Sequence, residues 1–223
     1  KTMKKIQLYT LIMLSILFVQ CNETDEKESS PVASNATYKV TFEFNWNNQD
    51  FPIDYPSNAH FSKLIGWSHA STNSFFLIET MASEGIKDMA ELGATATLEN
   101  EINEKINNGD GLDFVIGENL NGGVGEITVD ILVNKENSSV TLATMIAPSP
   151  DWYVGVVHIN LFENGEFIDE KIVDGLIYDA GTDSGTSFAS NNAETNPKQP
   201  ISLITNLPLG NGITIATVKF SKQ

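Results

Sequence analysis

The sequence predicts an all-β fold with a short helical insertion, specifically an antiparallel β-sandwich. Three features predict it. Tyr38, Val40, Phe42 and Phe44 alternate with Lys39, Thr41, Glu43 and Asn45, the period of a strand with one buried face. A succession of apolar runs with short turn signals fills the chain from Ile127 to Phe220. Between these regions lie stretches with helical spacing, too brief to form a domain of their own.

Taken in order, Tyr38–Asn45 is the first strand and Phe75–Thr80 a second candidate. Ser83 to Gly93 reads as a helix. Ser83 can cap its first turn, and Ile86, Met89, Ala90 and Leu92 fall mostly on one face. A further short helix is expected over Thr97–Asn107, with Leu98, Ile102 and Ile106 in line and Gly109 as its stop. Strands are then expected at Ile127–Val133, Ser139–Ala147, Tyr153–Leu161, Phe167–Ile177 and Gly212–Phe220. Asn134 to Asn137 can turn one pair. Asn164-Gly165 is a hairpin signal, because both residues tolerate positive φ. Ser190–Pro200 reads as a long polar surface loop.

Composition narrows the function. The chain has 223 residues, 29 acidic against 13 basic, for a net charge of −16. Such a surface repels phosphate backbones, so no nucleic-acid partner is expected. It suits divalent cations wherever carboxylates converge. A hydrophobic content of 41% is enough for one core. The single cysteine excludes an internal disulfide and a cysteine zinc cluster.

That cysteine, Cys21, follows a basic start (Lys1, Lys4, Lys5) and the apolar run Leu11–Val19. The run is too short to span a membrane and has the form of an export signal. Residues 1–20 are read as that signal, 21–36 as a flexible acidic tether and 37–223 as the folded domain. A cysteine at this place resembles the lipobox of bacterial lipoproteins, with Gln20 where a small residue is usual. It implies lipidation of Cys21 and a membrane anchor. An ordinary signal peptide is the alternative. Glu23, Asp25, Glu26 and Glu28 resemble the surface-export tag of some Gram-negative lipoproteins. The expected location is thus the outer membrane or cell surface of a Gram-negative bacterium.

Candidate chemistry gathers in the loops. Asp179 and Asp183 share one loop in which Gly181 and Gly185 permit tight turns. Asp151 lies 28 positions earlier (179 − 151 = 28), room for a hairpin that returns beside them. Three such carboxylates would repel one another without a cation. Aspartates in Asp-Gly loops also commonly cap backbone amides, so both readings stand.

The segments Ala147-Pro148-Ser149-Pro150-Asp151-Trp152-Tyr153-Val154-Gly155 and Asp179-Ala180-Gly181-Thr182-Asp183-Ser184-Gly185 are distinctive. So is the run from His60-Phe61-Ser62 through Gly66 to Ser68-His69. With Ala82–Gly85 and Ala90–Gly93, they resemble the spondin N-terminal domain family over about Thr37 to Phe220. The resemblance implies a β-sandwich with a calcium ion (Ca2+) at one end, held by Asp151, Asp179 and Asp183. It also implies a binding or adhesion module meeting a surface protein or glycan, rather than an enzyme.

The alternative is a secreted hydrolase using the Asp179/Asp183 loop. Asp183-Ser184-Gly185-Thr186 imitates the aspartic-protease tetrad, but that chemistry needs two such aspartates and the chain has one copy. No G-x-S-x-G elbow supports Ser184 as a nucleophile served by His60 or His69. Those two histidines are better read as hydrogen-bonded structure than as ligands, while His158 sits mid-strand, where alternation could place it on either face. Trp46, Trp67 and Trp152 are expected to pack rather than form a sugar platform.

Overall fold

The structure is a computed structural model and describes residues 34–223. The export signal, Cys21 and the tether up to residue 33 lie outside the described residues. The elements in chain order are β1 (Asn35–Asn45), β2 (His60–Phe61), β3 (Ile65–His69), α1 (Glu84–Leu92) and α2 (Ala96–Asn107). They continue with β4 (Gly111–Ile116), β5 (Val124–Asn134), β6 (Ser139–Ala147), β7 (Trp152–Asn160) and β8 (Phe162–Glu163). The last are β9 (Glu166–Phe167), β10 (Glu170–Asp179), β11 (Ser202–Leu203) and β12 (Ala216–Lys222).

The main sheet has the order β4-β3-β6-β7-β10-β12-β1-β5, and its paired strands are antiparallel. This is the expected all-β architecture with a short helical insertion. Alternation sets β1: Tyr38, Val40, Phe42 and Phe44 are buried, while Lys39 and Glu43 are exposed. Its ladder begins at Asn35, opposite Asn134, so the strand takes in residues 35 and 36, which the sequence assigns to the tether.

The core has two layers, and β6 shows why. All nine of its residues are buried. Val140, Leu142 and Ile146 face the interior of the folded-over sheet, with Phe42, Val154 and Val218. Ala143, Met145 and Ala147 face the other way, into a cluster with Ile86, Met89, Leu98 and Ile102 from the helices. The helices therefore cover the outer face of the β3–β6–β7 region. Ser83 caps α1, accepting the Ile86 N–H at 3.2 Å, and Gly93 ends it at φ 65°.

Some expectations are corrected. Phe75–Thr80 is a turn-rich loop rather than a strand. Phe75 and Phe76 are drawn beneath the helices, and Phe76 meets Tyr153 and Tyr178 edge-on at 5.2 and 5.0 Å. The Asn134–Asn137 turn forms, with the Asn137 N–H donating to Asn134 Oδ1 at 2.7 Å. It does not join a hairpin: β5 pairs with β1, whereas β6 pairs with β3 and β7. The turn thus carries the chain across the sandwich. The sequence reading omitted β3 and β4 altogether.

Candidate metal site on the Asp151, Asp179 and Asp183 loops

Strand register brings the aspartates together. In the β7–β10 ladder, Asp179 lies opposite Trp152, so Asp151 precedes β7 where β10 ends. The Ala180 N–H donates to the Asp151 carbonyl at 3.2 Å and clamps the two chain segments. Following the ladders outward, Glu170 pairs with Ser221, and Tyr38 pairs with Lys222. The aspartate end of β10 is therefore opposite the end at which β1 begins.

Asp151 is fully buried. Its Oδ2 accepts the Thr182 N–H at 2.7 Å, the Asp183 N–H at 3.0 Å and the Thr182 hydroxyl at 3.2 Å. Its Oδ1 is buried with no hydrogen-bond partner among the described residues. Burial pushes the Asp151 carboxyl up to about 6, helped by the charge of Asp179 and opposed by those donors. A lone buried carboxylate oxygen is costly unless something meets it.

Asp179 accepts the Gly181 N–H on Oδ1 at 2.8 Å. Burial raises its carboxyl above the ordinary range. The Gly181 and Trp152 contacts oppose that rise, while the charge of Asp183 adds to it. A cleft of about 310 Å³ adjoins Asp179, with Trp152, Leu203, Leu207 and Pro208 in its walls.

Asp183 holds the loop itself. Its Oδ1 accepts the Gly185 N–H at 2.7 Å and its Oδ2 the Ala193 N–H at 2.8 Å. The 190–200 segment is thereby stitched down: Ser184 N–H donates to Ala193 O, Thr195 N–H to Thr182 O and Gln199 N–H to Gly181 O. Gly181 is required for the last of these. It sits at φ 72°, and a Cβ there would lie 2.1 Å from Gln199 O.

Among the described residues, no three His, Cys, Asp or Glu side chains are arranged as a metal-holding group. The donors on offer are narrower than the sequence reading supposed. Asp151 presents an unused oxygen and Asp179 lies near enough to perturb it, while Asp183 already serves two backbone amides. Carboxylate oxygens have further lone pairs, so this set fits a hard cation completed by carbonyls or water.

The other candidates are structural. His69 is fully buried, with Nδ1 at Ala70 O (2.8 Å) and Nε2 at Thr141 Oγ1 (2.8 Å). The Ser184 hydroxyl donates to Ala193 O, and no hydrogen bond ties it to a histidine among the described residues. Trp46, Trp67 and Trp152 are buried, so none forms a platform. Sequence reasoning missed Thr182 and Ala193, whose roles arise from backbone groups and a hydroxyl that carry no motif of their own.

The Spondin_N family pattern matches residues 36–210. The chain belongs to the spondin N-terminal family. It is 33% identical over 177 residues to spondin-2 of Homo sapiens, covering 76% of this chain and 53% of that protein. It is 35% identical over 182 residues to spondin-1 of Homo sapiens, covering 77% of this chain and 22% of that protein. The spondin domain thus spans about half of one relative and a smaller part of the other. Among the described residues, no helix is long and apolar enough to cross a membrane.

Proposed function

We propose that this spondin domain is an exported binding and adhesion module, not an enzyme. It is displayed from a lipid-anchored Cys21 and stiffened by calcium at the Asp151 and Asp179 carboxylates. Asp183 organises the loop around the ion. The partner is a surface protein or glycan. The observation that carries the calcium reading is the buried, partnerless Oδ1 of Asp151 beside a second carboxylate that raises its proton affinity. When bound, calcium supplies positive charge and oxygen coordination there. The chain's own groups fix the rest: Thr182 and Asp183 amides aim Asp151, and the Gly181 amide aims Asp179.

Within the described residues, the aspartate loops lie at the end of the strands opposite the start of β1.

The test is thermal melting of the mature domain in calcium and in chelator. Extracellular calcium modules bind with Kd of about 10⁻⁴–10⁻³ M. At about 10 mM calcium, that range adds about 1.4–2.7 kcal/mol, or about 3–10 °C. Identical melting in both conditions would sink the calcium reading. Mass spectrometry of the mature N-terminus tests the anchor separately, and an unmodified Cys21 would remove it.

A further inference from the structure

The chain contains four Asn-Gly pairs: Asn108-Gly109, Asn121-Gly122, Asn164-Gly165 and Asn211-Gly212. An asparagine followed by glycine is chemically labile, because without a Cβ the glycine nitrogen can approach the asparagine side chain. The fold treats the four pairs differently.

Three are restrained. The Gly109 N–H donates to Ile106 O at 3.0 Å, in the cap of α2, where the Asn108 N–H donates to Glu104 O at 3.1 Å. The Gly122 N–H donates to Leu120 O at 2.9 Å, and Asn121 Oδ1 is held by the Asn119 amide at 2.7 Å. Asn211 is fixed at both side-chain atoms: Nδ2 donates to Asp50 O at 2.7 Å, and Oδ1 accepts the Ile213 N–H at 2.9 Å.

Asn164 differs. It is exposed, and among the described residues its amide has no hydrogen-bond partner. Asn108 is likewise exposed with no side-chain hydrogen bond, and open space surrounds Gly109 and Gly212 as it does Gly165, but among the described residues only the 164–165 pair leaves both the asparagine amide and the following N–H without a partner. The pair forms the tip of the β8–β9 hairpin, whose strands have two residues each. A ladder that short barely opposes rotation of the tip.

We propose that Asn164 is a site of spontaneous deamidation, giving isoaspartate and aspartate at the hairpin tip. The Gly165 amide nitrogen attacks Asn164 Cγ. A nitrogen–Cγ bond forms, the side-chain nitrogen leaves as ammonia, and the Gly165 amide proton departs with it. Water then opens the five-membered imide at one carbonyl or the other. No oxidant or cofactor is needed.

The new carboxylate falls between Glu163 and Glu166, which already face each other across the hairpin. Lys171, 2.8 Å from Glu163, is the cation at hand. The damage stays local because the root of the hairpin is pinned: the Tyr38 hydroxyl donates to Leu161 O and Ile168 O.

The experiment incubates the folded protein at mildly alkaline pH beside a sample unfolded in urea. Peptide mapping then follows the amide-to-acid mass change at each pair. Folded, the Asn164 peptide converts first and at a rate close to its unfolded one, while the other three are slowed at least several-fold. In urea all four convert at similar rates. Asn164→Gln slows conversion at the tip many-fold, because its cyclisation needs a six-membered ring, and lowers the melting temperature only by the strain of a longer side chain at φ 54°. The proposal is overturned if another pair converts first in the folded protein. It is equally overturned if folding slows Asn164 as much as Asn211.

Discussion

The Asp113 carboxylate accepts the Leu132 N–H at 2.8 Å, joining β4 to β5, the two ends of the main strand order, between which the described residues form no ladder. Ser68 completes the stitch, its hydroxyl donating to Leu132 O at 2.7 Å and accepting the Asp113 N–H at 3.2 Å. Edge strands present unpaired backbone groups and invite pairing with other chains. Here side chains take the place of a neighbouring strand. A hydrogen bond to a charged group contributes about 1.5–3 kcal/mol. Asp113→Ala is therefore expected to lower unfolding stability by about that amount, measured by urea denaturation. Asp113→Asn, which retains an acceptor, should lose less. Equal stability of the parent and Asp113→Ala would show that the seam is held by packing alone.

Acid should destabilise the domain through His69. Burial lowers the imidazole from 6.5 to about 4. The Ala70 carbonyl opposes that shift, and the charge of nearby His158 adds to it. The folded state therefore keeps His69 neutral where the unfolded chain would protonate it. This contribution is complete above the unfolded value and is lost as pH falls toward about 4. Its total is about 3 kcal/mol. Asp151 acts in the opposite sense, because its raised folded value favours the fold as acid neutralises it. His69→Gln separates the two, since an amide can meet both Ala70 O and Thr141 Oγ1. The stability difference between parent and variant should be flat above pH 7 and change steadily below it. A difference independent of pH would refute the assignment.

The loop that carries Asp179 and Asp183 should tolerate no side chain at Gly181. The residue has φ 72°, and an added Cβ would stand 2.1 Å from Gln199 O, a backbone atom that cannot swing aside. Left-handed strain and overpacking together make Gly181→Ala cost at least about 2 kcal/mol. Gly165→Ala is the control: it also has positive φ, but open space surrounds it, so only the strain remains. Calorimetry of the two variants compares the costs directly.

Legibility in the sequence followed burial on one face or two. In β1, alternation was plain because one face meets water. In β3, all five residues from Ile65 to His69 are buried, so no alternation exists to read. Phe75–Thr80 misled for a related reason: Phe75 and Phe76 are buried, while Leu77 and Ile78 are exposed on a turn. Apolar content alone could not tell a strand from a tucked loop. At the site, the aspartate positions were legible from motif and spacing. The division of labour among them was not, because it depends on which backbone amides arrive from residues 181 to 193.

That division can be separated by calcium. Asp183 bonds the Gly185 and Ala193 amides, so Asp183→Ala removes two hydrogen bonds whether or not an ion is present. Its melting temperature should fall in calcium and in chelator alike. Asp179 makes one such bond, through Oδ1 to Gly181, and an asparagine amide oxygen can replace it. Asp179→Asn should therefore melt close to the parent in chelator, yet gain little on addition of calcium, because the proposed site would lose one of its two carboxylates. Melting curves of the parent and both variants, each in calcium and in chelator, decide the matter. If Asp179→Asn retains the full calcium increment, the ion does not sit between Asp151 and Asp179. If Asp183→Ala matches the parent in chelator, Asp183 is a ligand first and a loop anchor second.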